Sequence, residues 1–318
     1  PASGLISSAI GTGTLTFGGG TLQASDDTVV ANAIDLNTAS GAIDANGFDI
    51  SLTGLISGTH GLSITSSGPS TVTFANASNS FSGGIGADSS GLMISESANG
   101  DFGSGPVTLT DGSGIEFTGA DTYTNAVNVS GDTTFDLGGN AVTYNGLIAD
   151  GTGGAGAVTV TGGGTLTLKN TANSYTGGTH ISGGSTVSID SDGELGGTAG
   201  GVTLGDATTT GTLALTQNVT SARTITLSAG GGAISASFGK TLTLSGQLTG
   251  SGGLTVSGPG GVFLTGNSNN YSGGTTIASG YVTAGRANVL GTGSLAIKAA
   301  GLLDLNNRSQ FITSLSDG

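Results

Sequence analysis

Short runs in which Thr or Ser alternates with an aliphatic residue recur along the chain. Examples are VTVT at 158–161, TLTL at 165–168, TVSI at 186–189, TLAL at 212–215, TITL at 224–227 and TLTL at 241–244. Alternation with a period of two predicts β-strands that bury one face. Gly, Asn, Asp or Ser follows each run within a few positions, which leaves no room for crossover helices. The pattern therefore predicts an all-β chain of short strands.

Parallel strands without crossover helices require a solenoid. We therefore expect a right-handed parallel β-helix in which inward Val, Leu and Ile side chains stack into a continuous core. Coils that each supply two or three strands give about 13 coils for the whole chain, at ~4.8 Å per coil. An antiparallel β-sandwich array and a β-propeller also have many short strands. The absence of Trp disfavours the propeller, and the short runs without clear linkers disfavour the sandwich array.

One six-residue phrase occurs three times, as NSFSGG at 79–84, NSYTGG at 173–178 and NNYSGG at 269–274. Its aromatic residues Phe81, Tyr175 and Tyr271 stand 94 and 96 positions apart. Glycine-bounded joints follow each phrase, at 103–105, 196–201 and 291–293. We therefore predict about three repeats of about 95 residues, 11–102, 103–195 and 196–290, with a partial copy at 291–318. All of them would lie in a single continuous solenoid over 1–318.

The phrase is predicted to be architectural. Gly permits the backbone to turn sharply with a positive φ, and Asn tolerates that region and can form hydrogen bonds along a stack. The structural motif that we predict consists of Asn79, Phe81, Gly83, Gly84, Asn173, Tyr175, Gly177, Gly178, Asn269, Tyr271, Gly273 and Gly274.

Composition narrows the classes of function. The chain has 64 Gly and only 8% charged residues, yet 35% of its residues are hydrophobic and its mean hydropathy is +0.19. These values indicate a buried core. The sequence lacks the Gly-x-y period that is typical of collagen. The chain has no Cys, which excludes disulfides and thiolate sites. A net charge of −14 with six Lys and Arg argues against binding of nucleic acid or of an anionic membrane.

No stretch approaches the ~20 apolar residues that a membrane helix needs, and the first residues lack the basic region of a signal peptide. We therefore expect no direct insertion of this segment into a membrane. We also expect it to be a mature or excised piece of a longer polypeptide.

Two places resemble parts of calcium-binding loops. GGIGADSSG at 83–91, with Asp88, fits the opening of a calcium nonapeptide, but one copy cannot form the sandwich of successive turns that holds the ion. DSDGE at 190–194 places Asp190, Asp192 and Glu194 on a tight turn, without the rest of a twelve-residue loop. We expect no cofactor and interpret both places as polar corners, with weak Ca²⁺ binding at Asp190, Asp192 and Glu194 as the alternative.

Catalytic constellations are not evident in the sequence. His60 and His180 have no obvious nucleophile or acid beside them. Many β-helices are enzymes that act on polysaccharides with paired carboxylates, but the acidic residues Glu96, Asp101, Asp111, Glu116 and Asp121 are spread over several strands. The basic residues are expected to be isolated; they are Lys169, Arg223, Lys240, Arg286, Lys298 and Arg308. We therefore expect no enzyme.

Pairs such as Thr165/Thr167 resemble the threonine arrays of ice-binding solenoids. Thr is favoured on the outer side of any strand, which explains such pairs without a special function.

The stretch GTLTLKNTANSYTGGTHISGGSTVSI at 164–189, echoed by GVFLTGNSNNYSGGTTIASGYVTA at 261–284, resembles the autotransporter-associated β-strand repeat of bacterial passenger domains. The copy at 79–84 departs from that pattern after Gly84, where Ile85 and Gly86 replace the Thr segment. The resemblance implies a right-handed β-helix that is secreted by a type V route and is displayed outside a Gram-negative cell. It implies a role in passenger folding and transport, and no catalytic residues.

These observations together predict an extracellular, non-enzymatic solenoid that serves as a stalk or fibre component of a bacterial cell surface. Self-association, end to end or lateral, would follow from exposed strand edges. An adhesin that binds a glycan or another cell is the alternative, and a polysaccharide-degrading β-helix enzyme is a more distant one.

Overall fold

The computed structural model describes residues 6–7, 10–110 and 112–317. Asp111, one of the carboxylates considered above, lies outside the described residues. Internal contacts divide the chain into two compact units, Pro1–Val158 and Thr159–Gly318. Among the described residues no helix has the length and apolar character needed to cross a membrane.

Unit 1 is built from short strands that belong to parallel sheets. The sheet β1-β4-β7-β10-β12-β14-β17 runs beside the sheet β3-β6-β9-β11-β13-β16-β19, with the smaller groups β2-β5-β8 and β15-β18. The strands are β1 (Ile6–Ser7), β2 (Leu15–Thr16), β3 (Thr21–Gln23), β4 (Thr28–Val30), β5 (Ile34–Leu36), β6 (Gly41–Asp44), β7 (Ile50–Leu52), β8 (Ile56–Gly58), β9 (Leu62–Thr65), β10 (Ser70–Phe74), β11 (Ile85–Ala87), β12 (Leu92–Glu96), β13 (Val107–Leu109), β14 (Gly114–Phe117), β15 (Thr122–Tyr123), β16 (Val127–Val129), β17 (Gly131–Asp136), β18 (Ala141–Tyr144), β19 (Ile148–Asp150) and β20 (Gly156–Thr161).

Unit 2 repeats this construction. Its sheets follow the orders β22-β24-β27-β30 and β21-β23-β25-β28-β31-β33, and β33 also pairs with β32 of the group β26-β29-β32 and with β34. One 3-10 helix, Asp192–Leu195, interrupts the strands of the described residues. The strands are β21 (Thr165–Leu168), β22 (Gly178–Ile181), β23 (Thr186–Ile189), β24 (Val202–Leu204), β25 (Gly211–Leu215), β26 (Val219–Ser221), β27 (Ile225–Leu227), β28 (Gly232–Ala236), β29 (Thr241–Leu244), β30 (Leu248–Gly250), β31 (Leu254–Ser257), β32 (Gly261–Leu264), β33 (Thr275–Ala284), β34 (Leu295–Asp304) and β35 (Leu315–Asp317).

Parallel pairing in register stacks each strand on the strand one turn later. Paired residues are separated by 19 positions for Leu15 and Ile34 and by up to 26 for Thr186 and Thr212. The described residues form about 14 turns. Because side chains alternate across a strand, every second residue points into the turn. The inward rows contain Val, Leu and Ile, as in Leu213, Ile234 and Val256, which are at most 2% exposed.

The prediction of an all-β parallel solenoid is confirmed. The right-handed sense, the single continuous domain and the three repeats of about 95 residues stay predictions.

Candidate functional site

The repeated phrase lies between two strands in each of its three occurrences. Residues 79–84 connect β10 to β11, residues 173–178 lie between β21 and β22, and residues 269–274 lie between β32 and β33. The aromatic residues Phe81, Tyr175 and Tyr271 are 0% exposed. The asparagines Asn79, Asn173 and Asn269 are also buried, at 6–7% exposure. The phrase therefore contributes an interior polar side chain and an interior ring, and does not present either on the surface.

Each buried asparagine joins its own turn to the next one. The side-chain amide of each asparagine donates to a backbone carbonyl of the next turn. The pairs are Asn79 to Asp101 (2.7 Å), Asn173 to Glu194 (2.8 Å) and Asn269 to Val289 (2.8 Å). The side-chain oxygens of Asn79 and Asn269 accept the N–H of Ile56 (2.8 Å) and of Leu248 (2.9 Å) from the preceding turn. These side chains thus satisfy buried backbone groups in neighbouring turns, which would otherwise be costly to bury.

The aromatic residue packs beneath a glycine of the following turn. That glycine is Gly103 for Phe81, Gly196 for Tyr175 and Gly291 for Tyr271, and all three glycines have a positive φ of 65–79°. A Cβ on Gly196 or Gly291 would lie 2.5 Å from the aromatic residue's carbonyl oxygen and 2.9 Å from its ring. The glycine-bounded joints of the sequence are therefore the places where the next turn fits over the motif's ring.

A hydroxyl pair distinguishes two copies of the motif from the third. Tyr175 Oη lies 2.7 Å from Thr179 Oγ1, and Tyr271 Oη lies 2.5 Å from Thr275 Oγ1. Burial raises the pKa of Tyr175 to about 12 and raises the pKa of Tyr271 as well. In the first copy Phe81 has no hydroxyl, and Ile85 takes the position of the threonine. Phe81 and Ile85 together remove both hydroxyls of the pair, so no buried hydroxyl is left without a partner.

The motif's second glycine adopts a backbone conformation that other residues avoid. Gly84, Gly178 and Gly274 have φ values of +85°, +95° and +84°. A Cβ at Gly178 or Gly274 would lie 2.7 Å from a carbonyl oxygen of the next turn. The first glycine of the pair is on the surface, at Gly83, Gly177 and Gly273. Conformation and close approach together explain the second glycine.

Arg223 is a buried structural residue, so the expectation that it is isolated is wrong. Its side chain is 1% exposed and its Nε lies 3.0 Å from Asp192 Oδ1. The other guanidinium N–H groups donate to the carbonyls of Gly197, Gly200, Asp192 and Gly196 at 2.6–3.0 Å. Every donor of the guanidinium is therefore used, which is what burial of an arginine requires. These contacts of Arg223 stabilise the turn that contains the 3-10 helix.

A local pattern in the sequence marks this position. Arg223 stands two residues before the strand that starts at Ile225. Asn125 stands two residues before Val127, and its amide donates to the carbonyls of Gly103 (3.1 Å) and Gly105 (2.9 Å). Asn32 precedes Ile34 in the same way and bonds to Gly11 and Gly13 at 3.0 and 2.6 Å. A side chain at this place reaches back to the glycine joint of the preceding turn.

The three calcium candidates do not face one another as a ligand set. Asp190 pairs with Lys169 (2.5 Å) and accepts from the Thr216 hydroxyl, and the hydrogen bond from Lys169 lowers its pKa. Lys169 is thus a second basic residue that is paired and not isolated. Asp192 binds Arg223. The Glu194 carboxylate accepts backbone N–H groups of Asp190 (2.7 Å) and Ser191 (3.3 Å), and burial raises its pKa.

The two histidines and Asp88 each bind a separate partner. His60 donates from Nδ1 to the Leu36 carbonyl (2.9 Å), and His180 donates from Nε2 to the Gly205 carbonyl (2.8 Å). Asp88 is exposed and accepts from the Thr110 hydroxyl (2.8 Å). Over residues 10–110 and 112–317, no group of three or more His, Asp or Glu side chains is arranged to hold a metal ion.

Glu96 is a buried carboxyl group, which its residue type did not lead us to expect. It is 2% exposed at the end of β12, and its Oε2 has no hydrogen-bond partner among the described residues. Burial, together with the charges of Asp101 and Asp121, raises its pKa well above its usual value. Asp101 is also buried, but its carboxylate accepts the backbone N–H groups of Ser97 (2.8 Å) and Ala98 (3.0 Å). The neutral form of Glu96 is therefore favoured in the folded chain relative to an exposed glutamate.

Two comparisons with known proteins match the chain. The family model described as Passenger-associated-transport-repeat matches residues 158–189 and 254–284, which contain the motif copies with Tyr175 and Tyr271. A protein described as "Adhesin BmaC autotransporter", from Brucella suis biovar 1 (strain 1330), is 36% identical over 201 residues. That match covers 58% of this chain and only 6% of the relative, so the chain spans a small fraction of the relative's length. No solved structure matches the chain.

These matches identify the two copies as passenger-associated-transport repeats. These similarities support a secreted or cell-surface passenger β-repeat.

Proposed function

We propose that the chain is a non-enzymatic structural segment, or stalk, of an adhesive protein on the surface of a Gram-negative bacterium. Its role would be to hold other parts of the passenger away from the cell. The relative that matches is named as an adhesin, and this supports a place within an adhesive protein.

The observation that carries the proposal is the use of the motif's polar side chains. The asparagines at 79, 173 and 269 and the arginine at 223 bind backbone groups of neighbouring turns and are buried. Such side chains are committed to cohesion between turns and are not free to meet a substrate. Cohesion between successive turns is the property that a stalk under load needs.

Single-molecule force spectroscopy tests the stalk. The full 318-residue chain would be pulled between two identical marker domains. We expect force peaks whose contour-length increments correspond to one or a few turns, each turn of ~22 residues releasing ~80 Å of extended chain. Extension without peaks above those of the markers would contradict a load-bearing role.

An adhesin that itself binds a glycan or a cell is the second candidate, favoured by the relative's name. Fluorescent beads coated with the chain would be incubated with cultured animal cells, with bacteria and on a glycan array. Saturable binding that soluble chain displaces would assign the adhesive function to this segment. Binding equal to that of albumin-coated beads would leave adhesion to other parts of the passenger.

The enzyme alternative predicts cleavage of a polysaccharide. In a panel of acidic and neutral polysaccharides, with and without added Ca²⁺, we expect no new reducing ends. Turnover that a purified sample retains after substitution of the acidic residues considered above, Glu96, Asp101, Asp111, Glu116 and Asp121, would point to contamination. Turnover that such a substitution abolishes would overturn the non-enzymatic assignment.

A further inference from the structure

A polar cleft of about 570 Å³ opens in unit 1 beside the glycine joint at 103–105. Its lining includes the exposed residues Asn99, Ser104 and Thr124 and the buried residue Asn125. We call it the joint cleft. The side chain of Asn125 does not fill it, because its amide ends at the carbonyls of the joint.

Unit 2 has a longer side chain at the corresponding place. Residues 99–104 correspond to residues 192–197, because the motif asparagine of each copy binds the carbonyl two residues before the joint glycine. Arg223 corresponds to Asn125, since each stands two residues before the strand that pairs with the strand after the joint. The place where unit 1 has a cleft is therefore the place that unit 2 fills with a guanidinium group.

The acceptors that hold this guanidinium have counterparts in the joint cleft. Arg223 donates to the carboxylate and the carbonyl of Asp192, both at 3.0 Å, and to the carbonyl of Gly197 at 2.6 Å. The counterparts are the side-chain oxygen and the carbonyl of Asn99 and the carbonyl of Ser104. Within the described part of the chain neither of these two carbonyls accepts a hydrogen bond, and the side-chain oxygen accepts one hydroxyl. A planar donor therefore finds three oxygen acceptors in the cleft.

The charge around the cleft favours a cation. The exposed Asp121 carboxylate accepts the N–H of Asn99 at 2.9 Å, and this bond, with that from the N–H of Thr122, lowers the pKa of Asp121. Asp121 thus brings to the cleft the negative charge that Asp192 supplies in unit 2. The segment 1–158 contains fourteen Asp and Glu and no Lys or Arg, so it attracts cations and has no basic side chain of its own for the cleft.

We propose that the joint cleft is a binding site for the guanidinium group of another molecule. A guanidinium presents five donors in a planar fork that matches several oxygen acceptors at once, whereas an ammonium is a compact and strongly hydrated charge. Free guanidinium compounds and an arginine within an extended peptide both carry this group. The site goes beyond the proposed stalk role and does not depend on it.

An NMR titration of the isotope-labelled full chain tests the proposal. The probes are L-argininamide and L-lysinamide, which carry the same charge, each from about 0.1 mM to about 50 mM. We expect saturable shifts of the amide signals of Asn99, Ser104 and Asn125, with L-argininamide binding at least about fivefold more tightly than L-lysinamide. Equal binding of the two probes, or no saturable shift at these residues, would overturn the proposal.

A peptide probe identifies the source of the group. A capped five-residue peptide with a central arginine among glycines would be titrated in the same way as L-argininamide. Tighter binding of the peptide would assign the cleft to an arginine of a protein partner, and tighter binding of L-argininamide would assign it to a free guanidinium compound. Either result keeps the guanidinium site, and binding of neither probe contradicts it.

A double variant rebuilds the arrangement of unit 2 in the cleft. In Asn99→Asp with Asn125→Arg, the chain's own guanidinium would occupy the site beside its carboxylate, as Arg223 does beside Asp192. We expect this variant to lose the binding of L-argininamide. Binding that persists in the folded variant would overturn the proposal, and circular dichroism would check the fold.

A matched pair of single variants keeps the proposal testable if the double variant does not fold. Asp121→Asn removes the charge beside the cleft, and Asp88→Asn removes an equal charge from an exposed residue that does not line it. We expect at least about threefold weaker binding of L-argininamide for Asp121→Asn and binding like that of the wild type for Asp88→Asn. Equal losses would mean that only the net charge of the chain acts, which would overturn the assignment to the cleft.

Discussion

The side chain of Asn269 satisfies backbone groups in two neighbouring turns, the N–H of Leu248 and the carbonyl of Val289. Replacement by alanine leaves both groups buried without partners, which costs about 2–4 kcal/mol. We expect Asn269→Ala to lower the urea midpoint of unfolding correspondingly. The neighbouring Asn270 is exposed, so Asn270→Ala is the matched control and should change stability by less than about 0.5 kcal/mol. Equal losses of stability for the two variants would mean that the hydrogen bonds of the Asn269 amide do not stabilise the fold.

Glu96 makes stability depend on pH in a direction opposite to that of most surface carboxylates. Its pKa is raised in the folded chain, so its carboxyl is protonated there at pH values at which the unfolded chain has lost the proton. The contribution of Glu96 to stability is therefore greatest in acid and falls as the pH rises from about 4.3 towards the raised pKa, by up to about 1.4 kcal/mol per pH unit.

Glu96→Gln cannot ionise, so the difference in stability between this variant and the wild type should grow in favour of the variant through that pH range. Urea unfolding at several pH values from acid to neutral measures the difference. The control is Glu116→Gln, on the neighbouring strand with a partly exposed side chain. A difference that does not change with pH would show that Glu96 is not buried as a neutral acid.

At the level of elements, the fit of one turn over the next depends on single glycines in the joints. Gly196 has φ +79°, and a Cβ there would lie 2.5 Å from the Tyr175 carbonyl oxygen. Gly184 has a similar φ of +74° with open space around it. We expect Gly184→Ala to cost only the backbone strain, about 1–2 kcal/mol, and Gly196→Ala to cost about 2–4 kcal/mol through the added clash. Thermal unfolding measures the stability of both variants. Similar losses of stability would show that the clash at Gly196 does not contribute.

Strands and corners were predictable from the sequence because their causes are local. Alternation in VTVT or TLTL marks the buried face of a strand, and Gly-rich phrases mark the corners. The motif's asparagine and aromatic residue were singled out by repetition alone. What they contact was not predictable, because their partners lie about 20 residues later in the next turn and the length of each turn varies from 19 to 26 residues.

Arg223 and Glu96 show the same limit. Both are charged residue types, for which exposure is the ordinary expectation. Arg223 is buried because the wider joint at 196–201 offers backbone carbonyls to three of its N–H groups and Asp192 accepts the other two. Alternation along β12 places Glu96 on the same buried face as Leu92 and Ile94, so the strand pattern carried the signal. The expectation from residue type argued against it.

At the scale of the molecule, the fold class followed from strands too close together for helical crossovers, and the similarity to passenger repeats followed from the repeated phrase. The division into two compact units at Val158 did not, because the strand pattern continues through that position. The uneven charge of the two units is visible in the sequence once the boundary is known. Fourteen of the twenty Asp and Glu and none of the six Lys and Arg lie in unit 1.

The central claim is that successive turns stack in parallel and in register, and cysteine pairing tests it directly because the chain has no cysteine of its own. Thr203 and Thr226 are register partners on β24 and β27, and Thr249 lies one strand further on. Thr203→Cys with Thr226→Cys would be oxidised at low protein concentration, and Thr203→Cys with Thr249→Cys would serve as the control.

Trypsin cleaves after Arg223, so a disulfide in the first variant joins two separate peptides that mass spectrometry detects. Neighbouring parallel strands lie ~4.8 Å apart, within reach of a disulfide, and next-but-one strands lie ~9.6 Å apart, beyond it. We predict the linked peptides for the first variant and none for the control. Linkage in the control but not in the first variant, or in neither, would contradict the parallel register on which the proposed stalk depends.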